Sequence, residues 1–324
     1  MRSEANISLN EYCRKFIGSS AEWPALPLTE KPAIKWWKQW LDETPAAKHF
    51  ESLRSYLPQL WINPQIGASG SITYKNLVLR GEAYSPLEKG AYLRLNDEKG
   101  FSVHLAVHAC GTFPVIEIKD QADFVQVVRC LAYRCEKQEI VSSVHAQAVA
   151  GLIHWGLLRK IDQQERAELI ILHRSPYSSL PECVIPGNPT EEQWVELSQV
   201  WRLEHELTHL ATQRLVGEMR LNLFDELIAD SLGMLKALGL FSADIFRQGL
   251  GLEKDGSTTE KSRVHTYLKG LNQEDRNSAC SYVLQRADEL EGLLKTSSIR
   301  NEPIELLRYL TKQKLDKRLV MDHS

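Results

Sequence analysis

The segment WRLEHELTHLAT (201–212) sets two histidines and a glutamate in the middle of a helical stretch that also carries Leu203, Leu207 and Leu210. A helix of that composition is buried, and burying two imidazoles and a carboxylate without partners is costly. The polar trio therefore needs something to bind. His205 and His209 stand at i and i+4, on one face of the helix with Cβ atoms about 6 Å apart. Both can reach one metal ion with metal–nitrogen bonds of about 2.0–2.1 Å. Glu206, beside the first histidine, points toward a neighbouring coordination position. There it can take a proton from a water on the metal without being a ligand itself.

A tetrahedral site with one open position needs a third protein ligand. Sixteen residues separate His209 from Glu226, which lies within DELIAD (225–230). Gly217 lies between them and is suited to end the first helix, so a second helix begins near Asn222. Glu226 and Asp230 are again i and i+4 and face one side. Glu226 is the expected third ligand. Asp230 is the expected partner for the outer N–H of a ligand histidine, fixing its tautomer.

H-E-x-x-H followed by E-x-x-A-D on the next helix resembles the gluzincin class of zinc metallopeptidases, over about residues 190–240. The resemblance implies Zn2+ held by His205, His209 and Glu226, with Glu206 as general base and Asp230 supporting a ligand histidine. It implies a zinc-dependent metallohydrolase, most readily a metallopeptidase acting on a peptide or protein substrate. Such an enzyme also needs a donor to the oxyanion of the tetrahedral intermediate. By position downstream of the ligand helix, His265 and Tyr267 in SRVHTYLKG are the catalytic candidates, with Tyr282 behind them.

The rest of the chain predicts an α+β protein, with an N-terminal α+β region over 1–140 and a mainly helical metal-binding part over 141–324. Trp36, Trp37 and Trp40 share helical spacing and read as packing anchors, and Thr44-Pro45 reads as a helix start. Between 59 and 119, LWINPQI, LVLRGEAY, AYLRLN, FSVHLAVHAC and FPVIEI are β-rich runs punctuated by turn residues, which predicts an antiparallel sheet. Apolar spacing predicts helices over 123–137 and 142–160, and ELIILH (168–173) reads as a buried strand. Thr190 to Gln193 forms a capping box. Helices are then expected over 190–216, 221–239, 241–250, 262–272, 276–296 and 302–318, with Gly251–Lys261 as a polar loop.

A net charge of −3, no basic stripe and no run approaching about 18 apolar residues argue against nucleic acid and membrane partners. The N-terminus lacks the apolar core of a secretory signal. Six cysteines without a C-x-x-C pair suit a reducing compartment, so a cytoplasmic protein is expected. Other metal readings are weaker. On a strand, His104 and His108 in FSVHLAVHAC sit about 13 Å apart, too far for one ion. His145 and His154 would face opposite sides of one helix. A di-iron bundle needs two E-x-x-H motifs, and Glu206-x-x-His209 is the one present. His49-Phe50-Glu51 is the single candidate for a mononuclear iron triad. A non-peptidase hydrolase or lyase, an iron oxygenase and a non-catalytic metal-binding module stay open as alternatives.

Overall fold

A computed structural model of the chain describes residues 7–83, 92–142, 144–161, 166–260 and 262–320. In chain order its helices are α1 (Leu9–Cys13), α2 (Pro32–Glu43), α3 (His49–Arg54), α4 (Ile72–Tyr74), α5 (Gln121–Leu131) and α6 (Trp155–Lys160). They continue with α7 (Glu191–Val216), α8 (Leu223–Leu238), α9 (Ala243–Leu250), α10 (Gln273–Thr296) and α11 (Pro303–Thr311). The strands are β1 (Phe101–His108), β2 (Gly111–Ile118), β3 (Ala146–Leu152) and β4 (Ala167–His173). The protein is α+β, and among the described residues no helix is long and apolar enough to cross a membrane.

The chain forms two compact units, one of residues 26–174 and one of residues 1–25 with 175–324. The sequence instead suggested a division near 140. Two physical facts move it. The strands β3 and β4 complete the sheet that β1 and β2 begin, in the order β1-β2-β4-β3. In the other unit, the N-terminal segment is tied to the C-terminal helices: Phe16 donates to the Thr311 carbonyl at 3.2 Å, and the Tyr12 hydroxyl donates to the Tyr267 carbonyl and accepts from Leu223 N–H, both at 3.0 Å.

The sheet of residues 26–174 is mixed rather than antiparallel. β1 and β2 form a hairpin, β2 runs parallel to β4, and β3 is antiparallel to β4. β4 carries the continuous buried apolar run Leu169–Leu172, the pattern of a strand covered on both faces, and its buried backbone needs hydrogen-bonding neighbours on both edges. That demand recruits 146–152, which the apolar spacing assigned to a long helix over 142–160. Gly151, at φ 75°, lies in the register irregularity between Val149 and Leu152, and after the strand His154 starts the short α6 by accepting from Leu157 N–H. Among the described residues, only FSVHLAVHAC and FPVIEI of the five β-rich runs supply strands. LWINPQI (60–66) starts within the 3-10 turn Pro58–Trp61 and contributes no strand, and Lys75–Leu79 is a π-turn after α4. Thr44-Pro45 leads into a 3-10 turn, Ala46–Lys48, and the helix proper starts at His49. Tyr84, Ala91, Ser143 and Lys261, which fall in the predicted runs, helix and loop, lie outside the described residues.

Trp36, Trp37 and Trp40 do pack inward, at 6%, 1% and 5% exposure. Two of them flank His154, whose ring stands 4.4 Å from Trp36 and 5.1 Å from Trp37 and lies parallel to Tyr56. His154 is fully buried, and among the described residues its Nε2 has no hydrogen-bond partner. Burial lowers its pKa from the usual value to about 3. The unfolded chain, titrating near about 6.5, therefore binds more protons than the folded one between those values. Stability from the neutral ring is complete above about pH 6.5 and is lost as pH falls toward 3. Between pH 7 and pH 5 the loss from this one residue is about 2 kcal/mol. His154→Asn, which keeps a capping side chain, should lose correspondingly less over that interval in urea unfolding. Equal losses in the two proteins would mean that His154 does not titrate this way.

Candidate metal centre

The unit of residues 1–25 and 175–324 is built around α7 and α8. Thr190 and Gln193 exchange side-chain bonds in a capping box, and α7 then runs to Gly217, which takes the left-handed conformation at φ 75°. After a short turn, the Asn222 side chain accepts from Phe224 and Asp225 N–H and starts α8. The two helices touch closely at Gly233: a Cβ there would lie 2.4 Å from Trp201 Cδ1 and 2.8 Å from its carbonyl oxygen. No other residue fits without moving the helices apart.

That close packing brings the predicted residues together. His205 Nε2 lies 3.0 Å from His209 Nε2, His209 Nε2 lies 3.3 Å from Glu226 Oε1, and His205 Nε2 lies 3.6 Å from Glu226 Oε2. Bonds of about 2.0–2.1 Å at tetrahedral angles place ligand atoms roughly 3.3–3.4 Å apart, close to the separations found here, where one carboxylate oxygen faces each imidazole nitrogen. Among the described residues they form the one group of three or more side chains disposed to hold an ion. All three are buried.

The second nitrogen of each imidazole is engaged. His205 Nδ1 lies 2.8 Å from Asp230 Oδ1, and His209 Nδ1 lies 3.2 Å from Asp225 Oδ2. Donation to a carboxylate puts the proton on Nδ1 and leaves both Nε2 lone pairs directed at the shared point. Two lone pairs 3.0 Å apart repel unless a cation or proton lies between them. Electrostatics carry the same message. Burial by itself would raise Glu226, but His205, His209 and Arg263 outweigh it and hold its carboxyl well below the usual range. For His209, burial would depress the imidazolium, while Asp225 and Glu226 hold its pKa well above the ordinary value.

The surroundings are polar and ordered. Asp230 Oδ1 also accepts from Trp201 Nε1 at 3.1 Å and from the Tyr177 hydroxyl. The Tyr177 ring stacks on Trp201 at 4.1 Å. Asp225 Oδ2 accepts from Arg220 and Leu221 N–H at 3.1 and 3.0 Å, which closes the α7–α8 turn around it. Glu206 is buried beside His205 but outside the ligating group. One turn back, burial lowers the Arg202 guanidinium to about 10, against the opposing pull of Tyr177 and Glu206.

The downstream candidates separate. Tyr267 is half-buried in the 3-10 turn Arg263–Tyr267, and its hydroxyl accepts from Arg263 Nε at 3.0 Å. Burial, reinforced by Glu226 and opposed by Arg263, raises its pKa far above 10, so it remains a phenol. His265 is exposed, with Nε2 2.8 Å from the Thr259 carbonyl of its own loop, and does not join the cluster. Tyr282 lies on α10. The rival residues take structural roles: His49 Nδ1 accepts from Val103 N–H at 3.0 Å. His145 precedes β3 and meets His173 at 2.9 Å through the two Nδ1 atoms, instead of sharing a helix with His154. Sequence reasoning missed Asp225, Tyr177 and Arg263. Asp225 stood next to Glu226 in DELIAD; the other two come from distant segments and carried no local mark.

Replacing Asp225 or Asp230 by Asn should weaken zinc binding about 10–100-fold, as loss of a ligand's hydrogen-bond partner does. Glu226→Ala should abolish tight binding. Competition against a chelator measures both, and a Glu226→Ala protein that binds as the wild type does would remove Glu226 from the ligand set.

No curated protein and no solved structure matches the chain. Over residues 2–168 and 161–320 it matches DUF7005, described as a family of unknown function, and it belongs to that family.

Proposed function

We propose that the protein is a zinc-dependent hydrolase of the gluzincin type, acting as a metallopeptidase. The observation that carries this reading is the convergence of His205 Nε2, His209 Nε2 and Glu226 at 3.0–3.6 Å, with each imidazole backed by its own carboxylate. His205, His209 and Glu226 would hold the metal. The donor set of two nitrogens and one carboxylate suits zinc with a position left open, and lacks the Cys-rich closed shell of a purely structural site. A zinc ion there supplies a Lewis acid that polarises a carbonyl and acidifies water.

The chain's own residues account for the remaining steps. Glu206 follows His205 directly on α7 and is not itself in the ligating group. It takes the proton from the water that attacks the amide carbonyl and passes it to the departing amine. Tyr267, kept as a phenol and hydrogen-bonded to Glu226, would have to turn its O–H from that carboxylate toward the oxyanion of the tetrahedral intermediate. Asp230 and Asp225 hold the two imidazoles in the tautomer that ligates. A peptide or protein substrate, rather than nucleic acid or a membrane, suits the net charge of −3. Five buried and one exposed free cysteine suit the reducing cytoplasm.

The test joins stoichiometry with turnover. Protein purified without a histidine tag should carry one zinc per chain. Glu206→Gln should keep that zinc while peptide cleavage, followed by mass spectrometry on a mixed peptide library, falls by roughly 10²–10⁴. Wild-type turnover by Glu206→Gln would end the general-base assignment, and loss of zinc in that variant would make Glu206 a ligand.

A further inference from the structure

Arg263 reaches the cluster from the 3-10 turn Arg263–Tyr267, and each part of its guanidinium is engaged. Nη2 donates to Glu226 Oε2 at 2.8 Å and lies 3.5 Å from Asp230 Oδ2. Nη1 donates to the Ser178 hydroxyl, and Nε donates to the Tyr267 hydroxyl at 3.0 Å. The side chain is 11% exposed and its cation lies over the rings of Tyr177 and Tyr267. Ser178 is itself set by an uncommon backbone: it and Ser179 both take positive φ, 48° and 58°, conformations that non-glycine residues adopt only where surroundings compel them. The turn holding Ser178 also delivers Tyr177 to Asp230.

The two oxygens of Glu226 are thereby made unequal. Oε2, 3.6 Å from His205 Nε2, also accepts from Arg263, whereas Oε1, 3.3 Å from His209 Nε2, does not. A carboxylate with both oxygens free can chelate a cation through both, and with two histidines that fills four positions. A carboxylate tied at one oxygen offers only the other. We propose that Arg263 is the positioning residue of the third ligand: it holds Glu226 to one-oxygen ligation and so keeps the fourth position open for water and substrate. The inference rests on the metal-centre reading above and extends it to a residue that touches neither metal nor substrate. The planar fork of arginine is what the arrangement uses, since it serves Glu226, Ser178 and Tyr267 in fixed directions at once. Lysine, a point charge, keeps the attraction to Glu226 without that geometry.

The experiment loads wild type, Arg263→Lys and Arg263→Met with zinc and, separately, with Co2+ as a spectroscopic stand-in. Arg263→Met should bind zinc about 10–100-fold more weakly than wild type, and Arg263→Lys should lose less. In both variants the visible cobalt bands should weaken from the intense four-coordinate pattern toward the fainter five-coordinate one, as Glu226 turns to bind through both oxygens beside the water. A merely structural role for Arg263 does not move that spectrum. Superimposable cobalt spectra in wild type and Arg263→Lys would overturn the proposal, and Arg263→Lys decides the matter if Arg263→Met fails to fold. Wild-type protein that takes up neither metal overturns the metal centre itself. Wild type that binds both, beside variants with unchanged spectra, overturns only the role of Arg263.

Discussion

Three carboxylates, two imidazoles and a guanidinium share the seam between α7 and α8 and the turn after α9. Asp225, Glu226 and Asp230 are 0%, 1% and 1% exposed. Removing such charges from water costs several kcal/mol each unless they are paired and hydrogen-bonded. Arg263 balances one of the three, and the remaining negative charge has to be met by protons on the imidazoles or by a cation at the shared point. A proton on His209 and a dication answer the same deficit, which makes them competitors. The rest of this unit can be understood as the frame that makes so costly a cluster possible.

That frame is constructed in layers. The apolar side of α8 is anchored by residues buried along almost its whole length, from Leu223 to Met234. Gly233 lets α8 approach Trp201 closely enough for the indole N–H to reach Asp230. The N-terminal segment then seals the turn between the helices: the Asn222 side chain and the Arg220 guanidinium both donate to the Tyr12 carbonyl, at 3.0 and 2.6 Å. Residues more than two hundred positions apart thus fix where α8 begins, and the start of α8 fixes where Asp225 and Glu226 stand.

The unit of residues 26–174 solves a different problem. Its four-stranded sheet needs a neighbour on each side of β4, and the aromatic cluster of α2 needs a partner for its interior face. The segment 144–160 supplies both, as β3 and as the buried His154. Local spacing in that segment favours a helix, and pairing with a fully buried strand overrides it. LWINPQI and the described part of LVLRGEAY, although β-rich in composition, pair with no strand and run through turns instead.

What the sequence determined by itself was the local geometry of the site. Spacing of four along a helix puts His205 beside His209 and Glu226 beside Asp230 regardless of the remainder of the fold. The capping box at Thr190, the left-handed Gly217 and the Asn222 cap likewise act within a few residues, and α7 and α8 start and stop where those signs stand. The pairing of 205 with 230 and of 209 with 225 follows once two such helices fold back on one another, since one helix then descends as the other rises. Only the tertiary structure decided which carboxylate serves which imidazole, that Tyr177 and Arg263 join them, and that His265 stays outside. Those outcomes depend on chain segments brought together across tens of residues, by packing and by the need to satisfy buried charge. Neither leaves a periodic trace in the sequence.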